Sequence, residues 1–199
     1  LVASGQRLDV AVLATDTHDE IVVDAATNGR TTYKNAGDTR RRGVELEYSG
    51  TFAHGVRAHA ALAYLDAKFS DALTTGSPPV LLPAGNKLPG VPDFTAYGEL
   101  AWTPVALPWL ELAAEVQSSG KIYVNERNSD AAPAYTIGNL RVGVQKREAG
   151  VLWRAFARLN NITDRNYAGS VIVGDTNGRY FEPAPGRNWF AGVSGTFEF

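Results

Sequence analysis

The sequence has no cysteine and no methionine among its 199 residues, and these absences remove several classes of function. Without cysteine there is no disulfide framework, no thiolate metal site and no cysteine nucleophile. The first ten residues, LVASGQRLDV, show neither the basic start nor the apolar run of a signal peptide, and the first residue is not methionine. We therefore expect a mature form or a fragment.

Neither sign of charge is in large excess, because the chain has 19 lysine and arginine residues and 21 aspartate and glutamate residues, for a net charge of −2. A general nucleic-acid-binding protein needs a basic surface, so this balance argues against that class. Long apolar runs are also missing, and the longest uncharged stretch, residues 72–86, contains three prolines. A membrane-spanning helix needs about 20 apolar residues and is excluded, whereas the weaker pattern of a transmembrane β-barrel is not.

Alternation of apolar and polar residues, rather than helical periodicity, runs through the whole chain. In GVELEYSGTF (residues 43–52), Val44, Leu46 and Tyr48 share one side, and Glu45 and Glu47 share the other. Similar runs predict eight strands, at about residues 7–15, 43–52, 56–66, 93–103, 109–120, 135–146, 151–161 and 189–199. The pattern predicts an all-β, antiparallel fold whose sheet has one apolar and one polar face.

The connections between these strands alternate between short and long. The short ones are residues 53–55, 104–108 and 147–150, and the long ones, rich in Gly, Pro, Asn and Asp, are residues 18–38, 71–92, 125–133 and 168–186. Every hairpin is therefore short at one end of the sheet and long at the other. Outer-membrane barrels show this asymmetry, with short periplasmic turns and long external loops, whereas a soluble sandwich has no reason to keep it.

Aromatic residues cluster at both ends of the apolar face, where the interfacial girdles of a barrel lie. They are Phe52, Trp102, Trp109, Trp153 and Phe199 near the short turns, and Phe94 and Trp189 near the long loops. The polar face would line a lumen with Glu45, Glu47, Glu99, Glu111, Glu115, Arg141, Arg154 and Arg158. Since a barrel of about eight strands has room only for side chains, these charges must pair, or the lumen must be wider and filled by something else.

The segments LNNITDRNYAGSV (159–171) and GRYFEPAPGRNWFAGVSGTFEF (178–199) resemble the C-terminal end of the TonB-dependent outer-membrane receptors. The family's Asn-Leu-Thr/Phe-Asp-x-x-Tyr motif and its Pro-x-x-Arg entry to the last strand are matched by Asn161, Ile162, Thr163, Asp164, Tyr167, Pro185 and Arg187. Upstream, RRRGVELEYSG, YLDAKFSD and LPGVPDFTAY resemble further strands of the family. Together these matches extend from about residue 40 to residue 199.

The resemblance implies a barrel of about 22 strands with an N-terminal plug inside it. Residues 1–199 would form a single C-terminal segment with about the last eight strands, and the plug and the TonB-contacting box are absent from this sequence. The implied function is TonB-dependent uptake of a ferric siderophore or similar metal chelate across the outer membrane of a Gram-negative bacterium, with no enzymatic activity and no cofactor. Implied partners are outer-membrane lipid, lipopolysaccharide and the barrel-assembly machinery, for which Phe197 and Phe199 would form the signal.

A short segment that occurs twice in the sequence provides several of the candidate ligand residues. TNGRTTY (27–33) and TNGRYF (176–181) both lie in predicted long loops, and each contains an Asn-Gly turn signal. Two type I′ turns that look alike by coincidence are one interpretation. The other is that planar arginine donors and aromatic faces project from the external mouth to bind an anionic, aryl-bearing ferric chelate. The candidate residues are Arg30, Tyr33, Tyr123, Arg127, Tyr167, Arg179, Tyr180 and Phe181.

No catalytic set and no metal-ligand spacing is visible in the sequence. The histidines, His18, His54 and His59, are scattered, and a polar lumen wall explains the acidic pairs Glu45/Glu47 and Glu111/Glu115 without acid–base chemistry. The run DTRRRG (38–43) places three arginines before a predicted strand, as a solvated rim or a site for lipopolysaccharide phosphates.

Two other classes stay open at this point. One is a self-contained, eight-stranded outer-membrane barrel with a structural or adhesive role. The other is a soluble β-barrel that binds a small apolar ligand.

Overall fold

Strands make up nearly all of the regular structure. A computed structural model describes residues 2–3, 5–75 and 79–197, which contain 17 strands and one 3-10 turn, Ala53–Gly55. In chain order the strands are β1 (Val2–Ala3), β2 (Gln6–Thr17), β3 (Ile21–Thr27), β4 (Arg30–Asn35), β5 (Thr39–Thr51), β6 (Val56–Phe69), β7 (Leu73–Thr75), β8 (Val80–Leu82), β9 (Phe94–Trp102), β10 (Leu110–Ser119), β11 (Ile122–Tyr123), β12 (Ala131–Ala132), β13 (Tyr135–Glu148), β14 (Val151–Asn160), β15 (Ala168–Val171), β16 (Phe181–Pro183) and β17 (Asn188–Phe197). No helix in this part of the chain is long and apolar enough to cross a membrane.

Nine strands form one antiparallel sheet in the order β1-β2-β5-β6-β9-β10-β13-β14-β17. Its eight long strands are the eight predicted from the sequence, so the all-β, antiparallel prediction is confirmed. The sheet is open, because within the described residues β17 pairs with β14 alone and no ladder joins it to β1 or β2. This chain is therefore not a closed eight-stranded barrel, which counts against both alternative interpretations.

One face of the sheet carries the predicted apolar residues, and these side chains are exposed. They include Val44, Leu100, Leu112, Val116, Leu140, Trp153 and Val193. The register of β14 keeps Ala155 and Ala157 on this apolar face, opposite Val144 and Val142 of β13. A slip by one residue would instead turn Arg158 toward this face, at a cost of about 2–4 kcal/mol in the middle of a membrane.

The aromatic residues lie at the predicted ends of the sheet. Trp102, at the end of β9, donates a hydrogen bond from its indole nitrogen to the carbonyl oxygen of His54 in the short turn, at 3.1 Å. Phe197 pairs with Val151, the first residue after another short turn, and Trp189 pairs with Leu159 toward the opposite end. Phe199 lies outside the described residues, so its predicted place in the girdle stays a prediction.

Several strand and loop boundaries differ from the sequence prediction by a few residues, including the following two. The turn predicted at residues 147–150 contains only Ala149 and Gly150, with φ angles of 49° and 76°, as in a two-residue type I′ hairpin. The prediction that three arginines precede a strand is wrong, because β5 begins at Thr39 and contains all three. Alternation within β5 sends Arg41 to the polar face and its two neighbours to the apolar face.

All four long connections contain a small hairpin that the sequence analysis did not predict. Loop 1 (residues 18–38) contains β3 and β4, loop 2 (70–93) contains β7 and β8, loop 3 (120–134) contains β11 and β12, and loop 4 (161–187) contains β15 and β16. A cluster of buried apolar residues, Ala36, Ala67, Phe69, Leu73 and Leu88, lies beside these loops. This cluster is therefore at the long-loop end and not between sheet layers.

Candidate functional site: the loop cluster and the polar face

Loops 1 and 4 meet through the two Thr-Asn-Gly-Arg segments, although these are 149 residues apart in the chain. The hydroxyl oxygens of Thr27 and Thr176 are 2.8 Å apart, within hydrogen-bond distance. The backbone of Ala26 donates to Gly174 at 2.9 Å and accepts from Thr176 at 3.0 Å, which gives a parallel bridge between the loops. The two copies of the repeated sequence segment are therefore in contact in the structure.

The two turns do not have the same geometry. Asn28 and Gly29 both have positive φ angles, 48° and 76°, and close the β3–β4 hairpin as a type I′ turn. In the Thr176–Arg179 segment of loop 4 only Gly178 has a positive φ, 70°, and the carboxylate of Asp175 accepts the backbone N–H groups of Asn177 and Arg179. The interpretation of two type I′ turns is thus right for loop 1 and wrong for loop 4, where an aspartate side chain shapes the turn.

Loop 3 is fixed to loop 1 by a buried ion pair. The Lys34 ammonium is 3.0 Å from Oε2 of Glu126 and 3.3 Å from the Asp24 carboxylate. The Glu126 side chain is only 7% exposed, and its Oε1 has no hydrogen-bond partner among the described residues. Burying a carboxylate is costly unless it is paired, so this contact holds the two loops in one arrangement.

Loop 3 also contacts loops 2 and 4 through its backbone. The carbonyl oxygen of Val124, a fully buried residue, accepts the N–H of Gly174 at 2.9 Å. From loop 2, Gly90 donates to the carbonyl oxygen of Tyr123 at 2.8 Å, and the Asn86 amide donates to the Glu126 carbonyl oxygen at 2.8 Å. All four loops therefore form one packed unit, which we call the loop cluster.

One ion pair joins loop 1 to the sheet, and a second joins the two ends of the loop to each other. The Arg41 guanidinium donates to both carboxylate oxygens of Glu20 at 3.0 Å, and these hydrogen bonds hold the Glu20 pKa below its usual value despite partial burial. The His18 ring nitrogen lies 2.6 Å from the Asp38 carboxylate, which raises the pKa of this exposed histidine. Charge thus fixes both ends of loop 1.

The polar face of the sheet carries a network of paired charges. The Arg141 guanidinium contacts Glu111 at 2.5 Å and Glu99 at 3.2 Å, and Arg158 contacts Glu115 at 2.5 Å. The Glu115 side chain is only 3% exposed and also accepts a hydrogen bond from Asn139 at 3.5 Å. The expectation that these charges pair is confirmed for five of the eight predicted residues, while Glu47 pairs with His59 instead.

Glu45 and Arg154 behave differently from that network. Both are exposed, and neither has an ion pair among residues 5–75 and 79–197. Glu111 and Glu115 are paired with Arg141 and Arg158, as expected for the polar wall of a lumen. In the same ranges, no group of three acidic or histidine side chains could hold a metal ion.

The structure brings some of the candidate ligand residues together and separates others. Arg30 and Arg179 belong to the two adjoining turns, and the Tyr180 and Phe181 rings lie edge to face with centroids 6.1 Å apart. Tyr33, on β4, is 64% exposed.

The remaining candidates are distributed around the cluster. The Tyr123 hydroxyl accepts a hydrogen bond from Lys121 at 2.6 Å, and Arg127 is exposed on loop 3. Tyr167 stacks against Tyr135, the first residue of β13, with ring centroids 4.2 Å apart. The sequence analysis missed Lys34 and Glu126, which no local pattern connects, and Asp175. Thr27 and Thr176 each begin a Thr-Asn-Gly-Arg segment, and this repeat was the sequence signal that could have indicated the contact between them.

Comparison with known families adds a match over most of the chain. Residues 3–162 match the family model described as "TonB dependent receptor-like, beta-barrel". The ferrichrome receptor FcuA of Yersinia enterocolitica is 30% identical over 153 residues, which cover 75% of this chain and 19% of the receptor. A ferrioxamine receptor of the same organism is 28% identical over 142 residues, covering 69% of this chain and 18% of its own length. The chain therefore spans about a fifth of each of these relatives.

Solved structures show the same fold at lower identity. The siderophore receptor PiuA of Acinetobacter baumannii has a TM-score of 0.76 at 21% identity, over 98% of this chain and 27% of its own. The ferric yersiniabactin uptake receptor FyuA of Yersinia pestis has a TM-score of 0.71 at 19% identity, over 100% of this chain and 28% of its own. These likenesses support the fold.

Proposed function

The chain belongs to the TonB-dependent receptor β-barrel family, and from that premise we propose that it forms part of an outer-membrane receptor for a ferric siderophore or similar metal chelate. The match over residues 3–162 carries the proposal. Relatives named as ferrichrome and ferrioxamine receptors support an iron chelate as the ligand. The family consists of transport receptors, which is consistent with the absence of an enzymatic role.

In this proposal residues 1–199 are one C-terminal segment of barrel wall with four external loops. The apolar face contacts lipid, the polar face lines the lumen, and the loop cluster captures the chelate. The TonB complex acts through a part of the receptor outside this sequence. The barrel-assembly machinery recognises the end of the closing strand, with Phe197 and Phe199 as its signal.

Lipopolysaccharide is the proposed partner at the outer rim. Arg40 and Arg42 lie on the apolar side of β5 near loop 1, at the level where lipid headgroups would meet the sheet. Arg42 is paired with Asp16 at 2.7 Å, while Arg40 has no ion pair among the described residues. A guanidinium group matches the geometry of a phosphate, so Arg40 and Arg42 would bind phosphates of the lipid A region.

An uptake assay tests the proposal directly. The full-length receptor is expressed in a Gram-negative strain that lacks its own siderophore receptors, and radioactive iron is supplied on a panel of hydroxamate, catecholate and carboxylate chelates. We expect accumulation of iron from at least one chelate, and loss of that accumulation in a strain without TonB. If no chelate delivers iron, or if delivery is equal without TonB, the proposal is wrong.

A further inference from the structure

A groove of about 530 Å³ runs over the apolar face of the sheet near its short turns. Ala155 of β14 lies between two larger residues in the register, Val144 of β13 and Val193 of β17, and all three line the groove. A small side chain between two larger ones leaves a channel along the strand. The Trp109 and Trp153 rings line the same groove toward the short turns.

An ion pair lies beside this groove on the same face. Lys146 lines the groove and is opposite Trp153 in the register, while Glu148 follows two residues later on the same strand. The Lys146 Nζ is 2.8 Å from Oε2 of Glu148, and the two side chains are 73% and 63% exposed. Both charged groups are therefore open to a ligand that occupies the groove.

The pair presents a cation and an anion side by side, which restricts the charge of a suitable ligand. A simple anion is attracted by Lys146 and repelled by Glu148, so the two effects largely cancel. A group that carries both a phosphate and an ammonium a few bonds apart can satisfy both side chains. An ammonium with N–H donors is favoured, since it can donate a charged hydrogen bond to the Glu148 carboxylate.

The length of the apolar channel matches one leaflet of a membrane. A second groove, of about 550 Å³, lies next to the first along the same strands and is lined by Val142, Ala157 and Leu159. From Trp153 to Leu159 the strand advances by six residues, or about 20 Å. A strand tilted by about 45° then crosses about 15 Å, half of a hydrocarbon core of about 30 Å.

We propose that Lys146, Glu148 and the channel beside Ala155 bind a zwitterionic phospholipid whose headgroup ends in a primary ammonium. The lipid phosphate accepts hydrogen bonds from Lys146, the lipid ammonium donates to Glu148, and one acyl chain lies over Ala155. The indole rings of Trp109 and Trp153 lie at the boundary between headgroup and chain, where tryptophan is favoured.

This inference rests on the outer-membrane part of the proposed function, because the apolar face must contact a bilayer. In that orientation the short turns face the periplasm, so the site lies in the inner, phospholipid leaflet and not in the lipopolysaccharide leaflet. The inference does not depend on which chelate the receptor carries.

The test titrates three phospholipids into the full-length receptor, stripped of its own phospholipid in detergent, and counts bound lipid by native mass spectrometry. All three carry the same palmitoyl and oleoyl chains. Phosphatidylethanolamine has a phosphate and a primary ammonium, phosphatidylcholine has a quaternary ammonium without N–H donors, and phosphatidylglycerol has no cation.

Three variants remove one feature of the site each: Lys146→Gln, Glu148→Gln, and Ala155→Leu, which fills the channel without adding charge. Arg7→Gln is the matched control. Arg7 pairs at 2.6 Å with Asp9, also two residues further along its strand and also exposed, but on the polar face.

We expect the wild type to bind phosphatidylethanolamine about tenfold more tightly than the other two lipids. Lys146→Gln should weaken that binding about tenfold, and Arg7→Gln should leave it unchanged. Glu148→Gln should remove the preference over phosphatidylcholine and tighten binding of phosphatidylglycerol, because the repulsion of its phosphate is gone. Ala155→Leu should weaken binding of all three lipids.

The outcomes separate this inference from the proposed function. If the wild type binds the three lipids equally, or if Lys146→Gln and Arg7→Gln bind phosphatidylethanolamine alike, the inference is wrong and chelate uptake is unaffected. If lipid binding follows the expected pattern but no chelate delivers iron in the uptake assay, the lipid site stands and the proposed transport function is wrong. Heat-modifiable migration on gels checks that each variant is folded.

Discussion

The sheet and the loop cluster are held together in different ways, although one chain builds both. In the sheet, apolar side chains stay uncovered, as shown by Val12 and Val193 at 81% and 75% exposure. At the loop cluster, Leu88, Val124 and the adjoining Phe69 at the end of β6 are buried. The loops therefore have a small core of their own, whereas the sheet relies on its backbone ladders and on what surrounds it.

The ion pairs of the two regions differ in the same sense. On the polar face, cations and anions alternate along a wall, and Arg141 alone reaches three carboxylates within 4.0 Å. In the loop cluster, single pairs such as Lys34–Glu126 join segments that are 92 residues apart. The first arrangement makes a continuous surface, and the second fixes the relative position of loops. Substitutions should therefore have regional effects, and these effects can be ranked.

The largest effect is expected from a charge on the apolar face. Val116→Arg, on β10, would place a cation against lipid, at a cost of about 2–4 kcal/mol in the middle of the bilayer. We expect the full-length receptor to lose heat-modifiable folding on gels and to fall in surface level.

Gln117→Arg is the matched control for this substitution. It adds the same side chain one residue further along the same strand, but on the polar face. It should assemble normally. Equal assembly of the two variants would show that the apolar face does not contact lipid and would remove the main contrast between sheet and loops.

The second effect concerns the polar face. Arg158→Met removes the closest cation from the buried carboxylate of Glu115 and should lower the free energy of unfolding by about 2 kcal/mol. Glu115→Gln added to that variant should recover much of the loss, because the buried carboxylate at position 115 is then gone. Urea titration of the full-length receptor in detergent measures both.

An exposed pair supplies the comparison for the Arg158 variant. Lys146→Met breaks the contact with Glu148, in which both side chains are more than half exposed, and should change stability by less than about 0.5 kcal/mol. If Lys146→Met lowers the free energy of unfolding as much as Arg158→Met does, the burial of Glu115 does not explain the stabilising effect of its ion pair.

The sheet could be predicted from the sequence because its physical rule is local. Residues two apart share a face, so runs such as the one containing Val44, Leu46 and Tyr48 show both the strand and its orientation. Glycine and asparagine at turns then divide the runs into hairpins. Only the boundaries shifted, as at Arg40–Arg42, because charged residues can continue a strand beyond the apolar region.

The loop cluster could not be predicted in this way. Its contacts join residues such as Lys34 and Glu126, and no periodicity connects positions in different loops. The repeated Thr-Asn-Gly-Arg segment was visible in the sequence. The contact between its two copies, at Thr27 and Thr176, depends on how loops 1 and 4 pack, which the sequence pattern does not show. The small hairpins were missed because strands of two to seven residues are too short for alternation to stand out from loop composition.

The third prediction tests the core of the loop cluster. Lys34→Met leaves the buried Glu126 carboxylate without its cation and should favour local opening by about 1–2 kcal/mol. Amide hydrogen exchange in the full-length receptor should then increase in loops 1 and 3, with no change in the main sheet. Arg187→Gln, which removes an exposed contact of 3.9 Å to Asp164, should leave exchange in loops 1 and 3 unchanged. Increased exchange throughout the sheet would contradict the separation of the two regions.

The smallest effect is expected where the regions join, at Glu20 and Arg41. The hydrogen bonds from Arg41 lower the pKa of Glu20, so their contribution to stability is present above the usual carboxyl pKa and is lost as pH falls through the lowered value. Protection of the loop 1 amides, corrected for intrinsic exchange, should therefore fall by about 1 kcal/mol between neutral and acid pH. Glu20→Gln should show reduced protection already at neutral pH and lose the part of the pH dependence that Glu20 contributes, while the part from the His18–Asp38 pair remains. If wild type and Glu20→Gln show the same pH profile in loop 1, another group links the loop cluster to the sheet.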